Sequence, residues 1–459
     1  MSLLDTQISV IGLGKLGSAM AAAIASKGFS VMGVDVNPET VSTINNGKAP
    51  VQEPMLQDLI SSVPDRLSAT VDFTSAIRSS NISFVVVPTP SDRNGAFSIG
   101  YAVKAFREIG YALREKNTYH LVVLTSTVLP GALRFGLLPV LEEASGKVCG
   151  KDIGLCYSPE FIALGSVIHD FLNPDFLLIG EFDEQSGDLL ENVYGSIMEN
   201  SPPCKRMSIE NAELTKIALN CYVTMKITFA NALVDICEKI PGGNIDDVTG
   251  ALGLDSRIGK RYLTGGLGYG GPCFPRDNIA FGYLARTLGS SSIIADLTDQ
   301  YNRSIPRQFL DRFLPFLNKK SKIAILGLAY KPSSPVIEES QGMILANELT
   351  TRGYQVCGYD PLADPKEIWA VNTGITLKDS VRETIRDADV VLITIPDPKY
   401  RHMKAEDFSN HLKPVTVVDF WRILDDELRN HEKIRYIPIG HSNHDGDNAE
   451  RLKQLWQEC

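Results

Sequence analysis

The feature that most constrains the fold is a glycine pattern near the start of the chain. A short apolar strand at residues 8–11 leads into the sequence GLGKLG at residues 12–17, and an alanine-rich helical segment follows. A second apolar strand at residues 31–35 ends in Asp35, 18 positions after Gly17. A G-x-G-x-x-G turn between a strand and a helix, with an acid ending the next strand, predicts a Rossmann unit that binds a dinucleotide.

The chemistry expected at this turn is the binding of a pyrophosphate. Glycines let the backbone approach the phosphates at a helix N-terminus, where free N–H groups and the helix dipole favour an anion. Asp35 would accept hydrogen bonds from both ribose hydroxyls and repel a 2′-phosphate, so NAD is favoured over NADP; a solvated acid at a strand end is the alternative. The predicted cofactor-binding residues are Gly12, Leu13, Gly14, Lys15, Leu16, Gly17, Asp35, Pro88, Thr89, Thr127 and Arg276.

The rest of the chain alternates strand-like and helical segments around one long helical stretch. Apolar strands recur in the N-terminal part and indicate a mostly parallel sheet covered by helices. The sequence at residues 322–327 predicts a second strand that leads into a glycine turn. The strand-like residues 356–360 end in Asp360, as residues 31–35 end in Asp35. Residues 212–240 contain neither proline nor glycine. This predicts one helix of about 29 residues over 211–240, with two shorter helices as the alternative.

The predicted fold is therefore α/β, with two doubly wound Rossmann-like domains joined by a helical central segment that contains one long helix. The predicted boundaries are residues 1–205, 206–312 and 313–459.

Composition excludes several classes of function. The net charge of −10 argues against a nucleic-acid partner or an acidic membrane surface. The eight cysteines form no C-x-x-C pair and no zinc-finger spacing, so no metal is predicted, and their scatter indicates a reducing compartment. Neither a signal-like N-terminus nor an apolar run of 18 residues is present. We therefore expect a cytoplasmic enzyme without a membrane partner.

A second glycine-rich segment, residues 265–271, precedes a cysteine with catalytic potential. Glycines are expected where the backbone must take a positive φ or lie close to a ligand. Cys273 follows this segment, and Arg276 and Asp277 come three and four residues later. A thiol beside a cation, in a chain that also binds a dinucleotide, suggests oxidation through a thioester. A buried structural cysteine is the alternative.

Two polar residues on the long helix can stabilise a developing oxyanion. Lys216 and Asn220 are four residues apart and so share one face of the helix, within an apolar neighbourhood. An ammonium group beside an amide donor suits an alkoxide or a tetrahedral oxyanion; a solvated Lys216 is the alternative. Thr127 and Glu160 follow predicted strands and would face the ligand crevice, although each alone could be a capping or surface residue.

Together these motifs resemble the nucleotide-sugar 6-dehydrogenase family, which includes UDP-glucose, GDP-mannose and UDP-N-acetylhexosamine dehydrogenases. The resemblance covers essentially the whole chain in order. Besides the N-terminal turn, the motifs that carry it lie at residues 126–128, 158–161, 213–220, 255–259, 270–277 and 327–331.

The resemblance implies a four-electron oxidation of the sugar C6 alcohol by two NAD⁺, through a thiohemiacetal and a thioester on Cys273. The catalytic residues it implies are Cys273, Lys216, Asn220, Asp277, Glu160 and Thr127. The substrate-binding residues it implies are Glu160, Phe161, Lys216, Asn220, Arg257, Tyr262, Tyr269, Gly270, Lys331 and Arg422.

The resemblance also assigns the domains and the partners. It implies an N-terminal NAD-binding domain, a central domain that dimerises through the long helix, and a C-terminal domain for the sugar nucleotide. Arg257 resembles an arginine that reaches the sugar nucleotide of a neighbouring subunit. The implied partners are a nucleotide sugar and a second copy of the chain.

Three departures from the family pattern bear on the substrate. Leu164 stands where UDP-glucose enzymes carry a second glutamate, Glu338 stands where an arginine is usual, and Trp421 stands at an arginine of a late Asp-Gly-Arg segment, next to Arg422. UDP-glucose is the leading substrate, with UDP-N-acetylhexosamine, GDP-mannose or another nucleotide sugar as alternatives. Two further hypotheses are a β-hydroxyacid dehydrogenase without a catalytic thiol and a sugar-nucleotide-binding protein with degraded catalysis.

Overall fold

The computed structural model describes residues 6–408, 414–442 and 446–457 of the chain. It forms two compact units, Met1–Leu219 and Asn220–Cys459. Each unit contains one sheet with apolar clusters on both of its faces. The α/β fold class with two Rossmann-like sheets is confirmed.

The first unit is built on an eight-stranded sheet in the order β3-β2-β1-β4-β5-β6-β7-β8. The strands are β1 Gln7–Ile11, β2 Ser30–Val34, β3 Leu67–Thr70, β4 Ile82–Val85, β5 His120–Leu124, β6 Ile153–Tyr157, β7 Leu177–Glu181 and β8 Cys204–Ser208. Neighbouring strands are parallel except β6 and β7. Strands β4, β5 and β6 are buried along their whole length, as parallel strands covered by helices on both faces must be.

Helices connect these strands and cover the sheet. They are α1 Lys15–Ser26, α2 Pro38–Asn45, α3 Leu56–Ser62, α4 Phe73–Ser79, α5 Gly100–Leu113, α6 Leu138–Ser145, α7 Val167–Leu172 and α8 Glu184–Ile197, and a π-helix at Ala132–Leu137 precedes α6. The apolar pattern of the sequence does not predict strands β3, β6 and β8. β8 lies at the edge of the sheet and pairs on one side only. Its sequence, CKRMS, is polar, as edge strands often are, and so gives no apolar signal.

The long helix α9, Ile209–Cys237, is continuous over 29 residues. The prediction of one helix is confirmed, and it ends three residues before the predicted boundary. Its length and hydropathy alone would allow it to cross a membrane. Such helices also occur in the cores of soluble proteins. Asn220 and Asn231 on this helix donate hydrogen bonds to Asp277 and to the Leu267 carbonyl, so polar groups of α9 have partners within the second unit.

The second unit contains helical elements followed by a six-stranded parallel sheet in the order β11-β10-β9-β12-β13-β14. The strands are β9 Lys322–Leu326, β10 Gln355–Tyr359, β11 Ile375–Leu377, β12 Val390–Ile393, β13 Val415–Asp419 and β14 Ile434–Pro438. The helices are α10 Ile245–Leu254, α11 Phe274–Thr287, α12 Ile293–Phe313, α13 Gln341–Thr351, α14 Pro365–Val371, α15 Val381–Ile385, α16 Pro398–Arg401, α17 Ala405–Phe408, α18 Asp425–Leu428 and α19 Gly446–Leu455, with a 3₁₀ turn at Leu314–Phe316.

Candidate active site

The glycine turn between β1 and α1 is closed on one side and open on the other. Gly12 has φ of +95°, and a Cβ there would overlap the Val86 carbonyl oxygen. A Cβ at Gly17 would overlap the Gly12 carbonyl oxygen, so helix and strand approach closely only because both residues are glycine. Gly14, the N-cap of α1, has no heavy atom within 4 Å of a hypothetical Cβ. This open face at a helix N-terminus fits a pyrophosphate.

The carboxylate expected to bind ribose lies at the end of β2 and is partly exposed. Asp35 accepts hydrogen bonds from the backbone N–H groups of Leu13 at 2.8 Å and Asn37 at 2.9 Å, one on each oxygen. Each carboxylate oxygen can accept a further bond, so the carboxylate can still accept from the two ribose hydroxyls. The open glycine face and this carboxylate together fit NAD.

The other predicted cofactor residues divide into buried and accessible groups. The Leu13 side chain is buried and packs beside Gly33, whereas Lys15 is exposed and Leu16 partly exposed. Only the backbone of Leu13 is therefore accessible to a ligand.

The ends of β4 and β5 are tied together by two side-chain hydroxyl groups. Ser126 donates to the Val87 carbonyl at 2.6 Å, and Thr89 donates to the Thr127 carbonyl at 2.7 Å. Pro88 is exposed and Thr127 partly exposed, while Thr89 is buried. The structure therefore leaves Pro88 and the Thr127 side chain accessible, and Thr89 acts by holding the two strand ends.

Lys216 faces inward, so the alternative of a solvated lysine is wrong. Its side chain is nearly buried, and its Nζ donates to the Glu160 carbonyl at 2.7 Å. The same ammonium lies 4.5 Å from the centre of the Phe161 ring, a cation–π contact. A cation held away from water attracts an anion more strongly than an exposed cation does.

Glu160 is the titratable group of this part of the site. Burial raises the pKa of the Glu160 carboxyl to about 8, against the opposing effects of the Lys216 charge and a hydrogen bond from Tyr194. Tyr194, on α8, is fully buried, and its hydroxyl also lies 2.9 Å from the Ser158 hydroxyl. No sequence motif points to Tyr194, although a tyrosine on the buried face of a helix needs a polar partner.

The segment after Glu160 explains the first departure from the family pattern. Leu164 packs against the apolar core of the first unit rather than standing as a polar residue. Glu53 fixes this segment by accepting hydrogen bonds from the backbone N–H groups of Gly165 at 3.2 Å and Val167 at 3.0 Å. Glu160 is thus the carboxylate that this segment contributes to the predicted site.

In the second unit, glycines of the 265–271 loop are required by close neighbours. A Cβ at Gly270 would overlap the Glu339 carbonyl oxygen, and one at Gly268 would overlap the side chain of Asn302. Gly271 has φ of +83° and lies against the Tyr330 ring. The loop therefore runs in a narrow passage between α12 and the segment that follows β9.

Three carboxamide side chains, which no sequence motif identifies, hold the backbone of this loop. Asn302 accepts from Tyr269 N–H at 2.8 Å and donates to the Tyr269 carbonyl at 2.9 Å. Gln341 donates to the same carbonyl at 3.1 Å, and Asn231 accepts from Gly266 N–H at 2.8 Å. Their positions, on α12, α13 and α9, follow no local spacing that a sequence pattern could reveal.

Cys273 is the N-cap residue of α11, and its side chain is exposed. The other cysteines that the structure describes are buried or half-buried, and burial raises the pKa of both Cys149 and Cys221 to about 12. A helix N-terminus favours a thiolate. Burial and the neighbouring Cys273 together raise the pKa of Tyr330 to about 12. The alternative of a buried structural cysteine is wrong for Cys273.

Asp277, one turn beyond Cys273 on α11, forms a buried pair with Asn220 of α9. Asn220 donates to Asp277 Oδ2 at 2.6 Å, and both residues are buried. Arg276 Nε lies 3.5 Å from the other oxygen of Asp277. Lys216 and Asn220 are one turn apart on α9, as predicted.

The predicted substrate residues around this loop differ in accessibility. The Arg257 side chain is 86% exposed and pairs with Asp255, and Tyr262 is exposed with φ of +65°. Tyr269 is buried edge-on to Phe274, so its side chain supports the loop. Lys331 is partly buried, with its Nζ 5.7 Å from the centre of the Tyr330 ring.

The prediction that Arg422 binds the substrate needs correction. Its side chain is 2% exposed, and each of its five N–H donors has a protein acceptor. Trp421 donates from its indole N–H to the Thr394 carbonyl at 2.8 Å. Glu338 is exposed, and its carbonyl accepts from Gly271 N–H at 3.0 Å.

Across the described ranges, no group of three or more His, Cys, Asp or Glu side chains is arranged to hold a metal ion.

Comparisons with known proteins give a consistent result along the chain. Models of the UDP-glucose/GDP-mannose dehydrogenase family match in three segments: the NAD binding domain at residues 6–198, the central domain at 210–304 and the UDP binding domain at 324–426.

Individual relatives agree with this match. A UDP-glucose 6-dehydrogenase of Haloferax volcanii is 33% identical over 422 residues, which is 91% of this chain and 97% of the relative. A GDP-mannose 6-dehydrogenase of Pseudomonas syringae pv. tomato is also 33% identical, covering 86% of this chain and 92% of the relative. The solved structure of a UDP-glucose dehydrogenase from Pyrobaculum islandicum has a TM-score of 0.85 at 30% identity, covering 95% of this chain and 98% of that one.

Proposed function

Because the chain belongs to the UDP-glucose/GDP-mannose dehydrogenase family of NAD-dependent enzymes, we propose that it oxidises UDP-glucose to UDP-glucuronate. The observation that carries this proposal is the exposed thiol of Cys273 at the start of α11. It follows a glycine-rich loop whose backbone is held by side-chain hydrogen bonds. The match of residues 324–426 to a UDP binding domain and the Haloferax relative support a UDP sugar.

The reaction takes place in two oxidations and one hydrolysis at the same carbon. When bound at the glycine turn, NAD⁺ would supply the hydride acceptor for each of the two oxidations at C6. The first oxidation converts the C6 alcohol to an aldehyde and releases a proton. The Cys273 thiolate then adds to the aldehyde carbon, and the resulting oxyanion takes a proton to give a thiohemiacetal. The second oxidation removes the remaining hydride and the hydroxyl proton, which leaves a thioester.

Lys216 and Asn220 serve as the electrophilic groups of this mechanism. The buried ammonium of Lys216 contacts a carbonyl and an aromatic face, and such a cation stabilises a negative oxygen that forms beside it. The Asn220 amide adds a donor, and Asp277, to which it is bonded, exchanges protons with the reacting hydroxyl. Arg276 would supply a cation for a phosphate of the cofactor.

Glu160 and Thr127 serve the hydrolysis. A water molecule attacks the thioester carbonyl, the C–S bond breaks, and the thiolate and the uronate are released. A carboxyl group whose pKa is about 8 is a suitable general base near neutral pH, because its conjugate base is strong enough to take a proton from water.

We also propose that the protein acts as a homodimer in the cytoplasm. Tyr222, Phe229 and Ile236 lie seven residues apart on α9 and are each about half exposed. Residues at this spacing form a stripe along one face of a helix, and such a stripe of large apolar side chains fits a second copy of the same helix. Arg257, on an exposed segment, would then reach the sugar nucleotide bound by the second copy.

The proposed function is tested by following NADH formation with a panel of UDP-glucose, UDP-N-acetylglucosamine, UDP-N-acetylmannosamine and GDP-mannose. We expect two NADH for each UDP-glucose consumed. A preference for GDP-mannose would contradict UDP-glucose as the substrate but keep the reaction type of the family. One NADH for each substrate molecule would contradict the thioester route and favour a simple alcohol dehydrogenase. Binding without turnover of any sugar would support a degraded, binding-only protein.

A further inference from the structure

The segment at the end of β13, which follows the family pattern imperfectly, lies against the glycine-rich loop. Trp421 and Arg422 occupy the place where the family pattern has a segment that holds the sugar nucleotide. In the structure, Arg422 Nη2 donates to the Gly265 carbonyl at 2.8 Å, at the first residue of the loop. A Cβ added at Gly266 would lie 2.8 Å from the Phe420 carbonyl oxygen and 3.1 Å from the Trp421 ring.

Arg422 is fixed by contacts on every side. Its Nε and Nη2 form a bidentate pair with Asp246 at the start of α10, at 2.7 and 2.9 Å. Its Nη1 donates to the carbonyls of Phe420 at 2.9 Å and Ile439 at 2.8 Å. Burial would raise the pKa of Asp246, but the neighbouring His441 and the hydrogen bonds from Arg422 outweigh it and lower the pKa to about 2. The carboxylate therefore stays charged across the working pH range.

The backbone at Arg422 carries a cost that these contacts offset. Arg422 has φ of +56°, a left-handed conformation that is unfavourable for a residue with a Cβ. Such conformations persist where the surroundings over-determine them, and they occur often at functional sites. Here the conformation directs a planar, five-donor group at three separate segments of the second unit.

We propose that Arg422 is a positioning residue for Cys273: it anchors the first residue of the glycine-rich loop to β13 and α10, with the Trp421 ring packed against the next residue. This inference rests on the proposed role of Cys273 as the nucleophile. The other end of the loop is held at Tyr269 by Asn302 and Gln341. Cys273 thus lies two residues beyond a loop that is held near both ends, and its position at the N-cap of α11 depends on both anchors.

The test uses two variants that disturb the same contact from opposite sides. Arg422→Lys keeps the charge opposite Asp246 but cannot reach all five acceptors. Gly266→Ala leaves Arg422 untouched and forces the loop away from Phe420 and Trp421. Arg386→Lys, at an exposed arginine after α15, and Gly195→Ala, at an α8 glycine with open space around it, are the matched controls.

Two readouts separate positioning from a loss of folding. The first is the rate at which iodoacetamide alkylates Cys273 in the full chain without substrates, followed at the Cys273 peptide by mass spectrometry. The second is steady-state kinetics, which shows whether a variant changes kcat, KM for NAD⁺ or both. We expect each test variant to alkylate at least about threefold more slowly and to lose about tenfold in kcat, with KM for NAD⁺ unchanged and the controls like wild type.

Alkylation and kcat at wild-type values in a folded Gly266→Ala variant would overturn the proposal, as would a faster alkylation. If Arg422→Lys fails to fold, Gly266→Ala alone decides. Because alkylation needs no sugar nucleotide, a wild-type enzyme that oxidises none of the panel would contradict the proposed function while leaving the comparison of alkylation rates decisive.

Discussion

At the scale of single residues, the chemistry of the site depends on side chains held away from water. Glu160 combines burial with a neighbouring ammonium group and a tyrosine hydroxyl, and its pKa rises to about 8 because burial dominates. Lys216 contacts a carbonyl and an aromatic face. At neutral pH these environments favour a protonated Glu160 and a charged, buried Lys216. Both groups suit a reaction in which a proton is transferred and a negative oxygen forms.

Replacing Glu160 should stop the reaction at the thioester. In Glu160→Gln the water lacks a base, so hydrolysis slows by about 10² to 10⁴-fold, whereas both oxidations proceed. Rapid-mixing measurements should show a burst of about two NADH per site followed by slow turnover. In wild type, where the deprotonated carboxyl is the active form, the hydrolysis rate should rise with pH and level off above about 8. Glu184→Gln, at an exposed glutamate of α8, is the control, and steady turnover without a burst in Glu160→Gln would exclude this role.

The choice of cofactor should depend on Asp35, and the second sheet offers a matched control. Asp35 accepts two backbone N–H groups, whereas Asp360, at the equivalent position after β10, accepts four, from Leu328, Ala329, Leu362 and Ala363. Asp35→Asn should lower the preference for NAD⁺ over NADP⁺ by about tenfold, because the 2′-phosphate is no longer repelled. Asp360→Asn should leave the ratio of kcat/KM values unchanged. An unaltered ratio in Asp35→Asn would remove its assigned role.

At the scale of elements, the glycine-rich loop is the part of the site that neighbouring elements control most. Asn302 on α12 mimics a strand partner by pairing with both backbone groups of Tyr269, and the glycine at 268 makes room for it. A buried amide with satisfied hydrogen bonds fixes one backbone conformation, and removing it leaves two unpaired backbone groups.

Asn302→Leu should therefore lower kcat by about 10- to 100-fold with little change in KM for NAD⁺, because the nucleophile is displaced while the dinucleotide turn is untouched. Gln308→Leu, at an exposed position on the same helix, is the control for the loss of a carboxamide. Steady-state kinetics of both variants, with melting temperatures as a check on folding, measure the effect. Equal kcat values in the two variants would show that the hydrogen bonds between Asn302 and the Tyr269 backbone do not position Cys273.

Particular residues show how far the sequence alone leads. The glycine turn with Asp35, the α9 helix and the Cys273 loop are detectable because each motif is local, and their residues lie within one turn, one helix or one loop. The contacts of Asn302, Gln341 and Arg422 join segments up to 176 positions apart, and a single polar residue carries no sequence signal of such pairing. The family pattern even suggested a ligand role for Arg422, because sequence does not reveal whether its donors are already satisfied.

At the scale of the whole molecule, the exposed apolar stripe on α9 is the basis for the proposed homodimer. Phe229 lies near the middle of the stripe of α9 and is 55% exposed. Phe229→Glu places a charge where a second copy would pack, so it should weaken self-association by at least about 100-fold. Analytical ultracentrifugation over a concentration series measures this. Asp235→Asn, at a polar position on the same helix, is the control, and an unchanged dimer in Phe229→Glu would place the interface elsewhere.

The most direct measurement of the central claim, covalent oxidation on a cysteine thiolate, is the product stoichiometry of Cys273→Ala with UDP-glucose. NADH is counted by absorbance, and the sugar nucleotide is identified by mass spectrometry. We expect wild type to form two NADH and one UDP-glucuronate for each UDP-glucose, with a transient acyl adduct on the Cys273 peptide. The variant should form no UDP-glucuronate while it still binds NAD⁺. Uronate formation at the wild-type rate by Cys273→Ala would contradict the account.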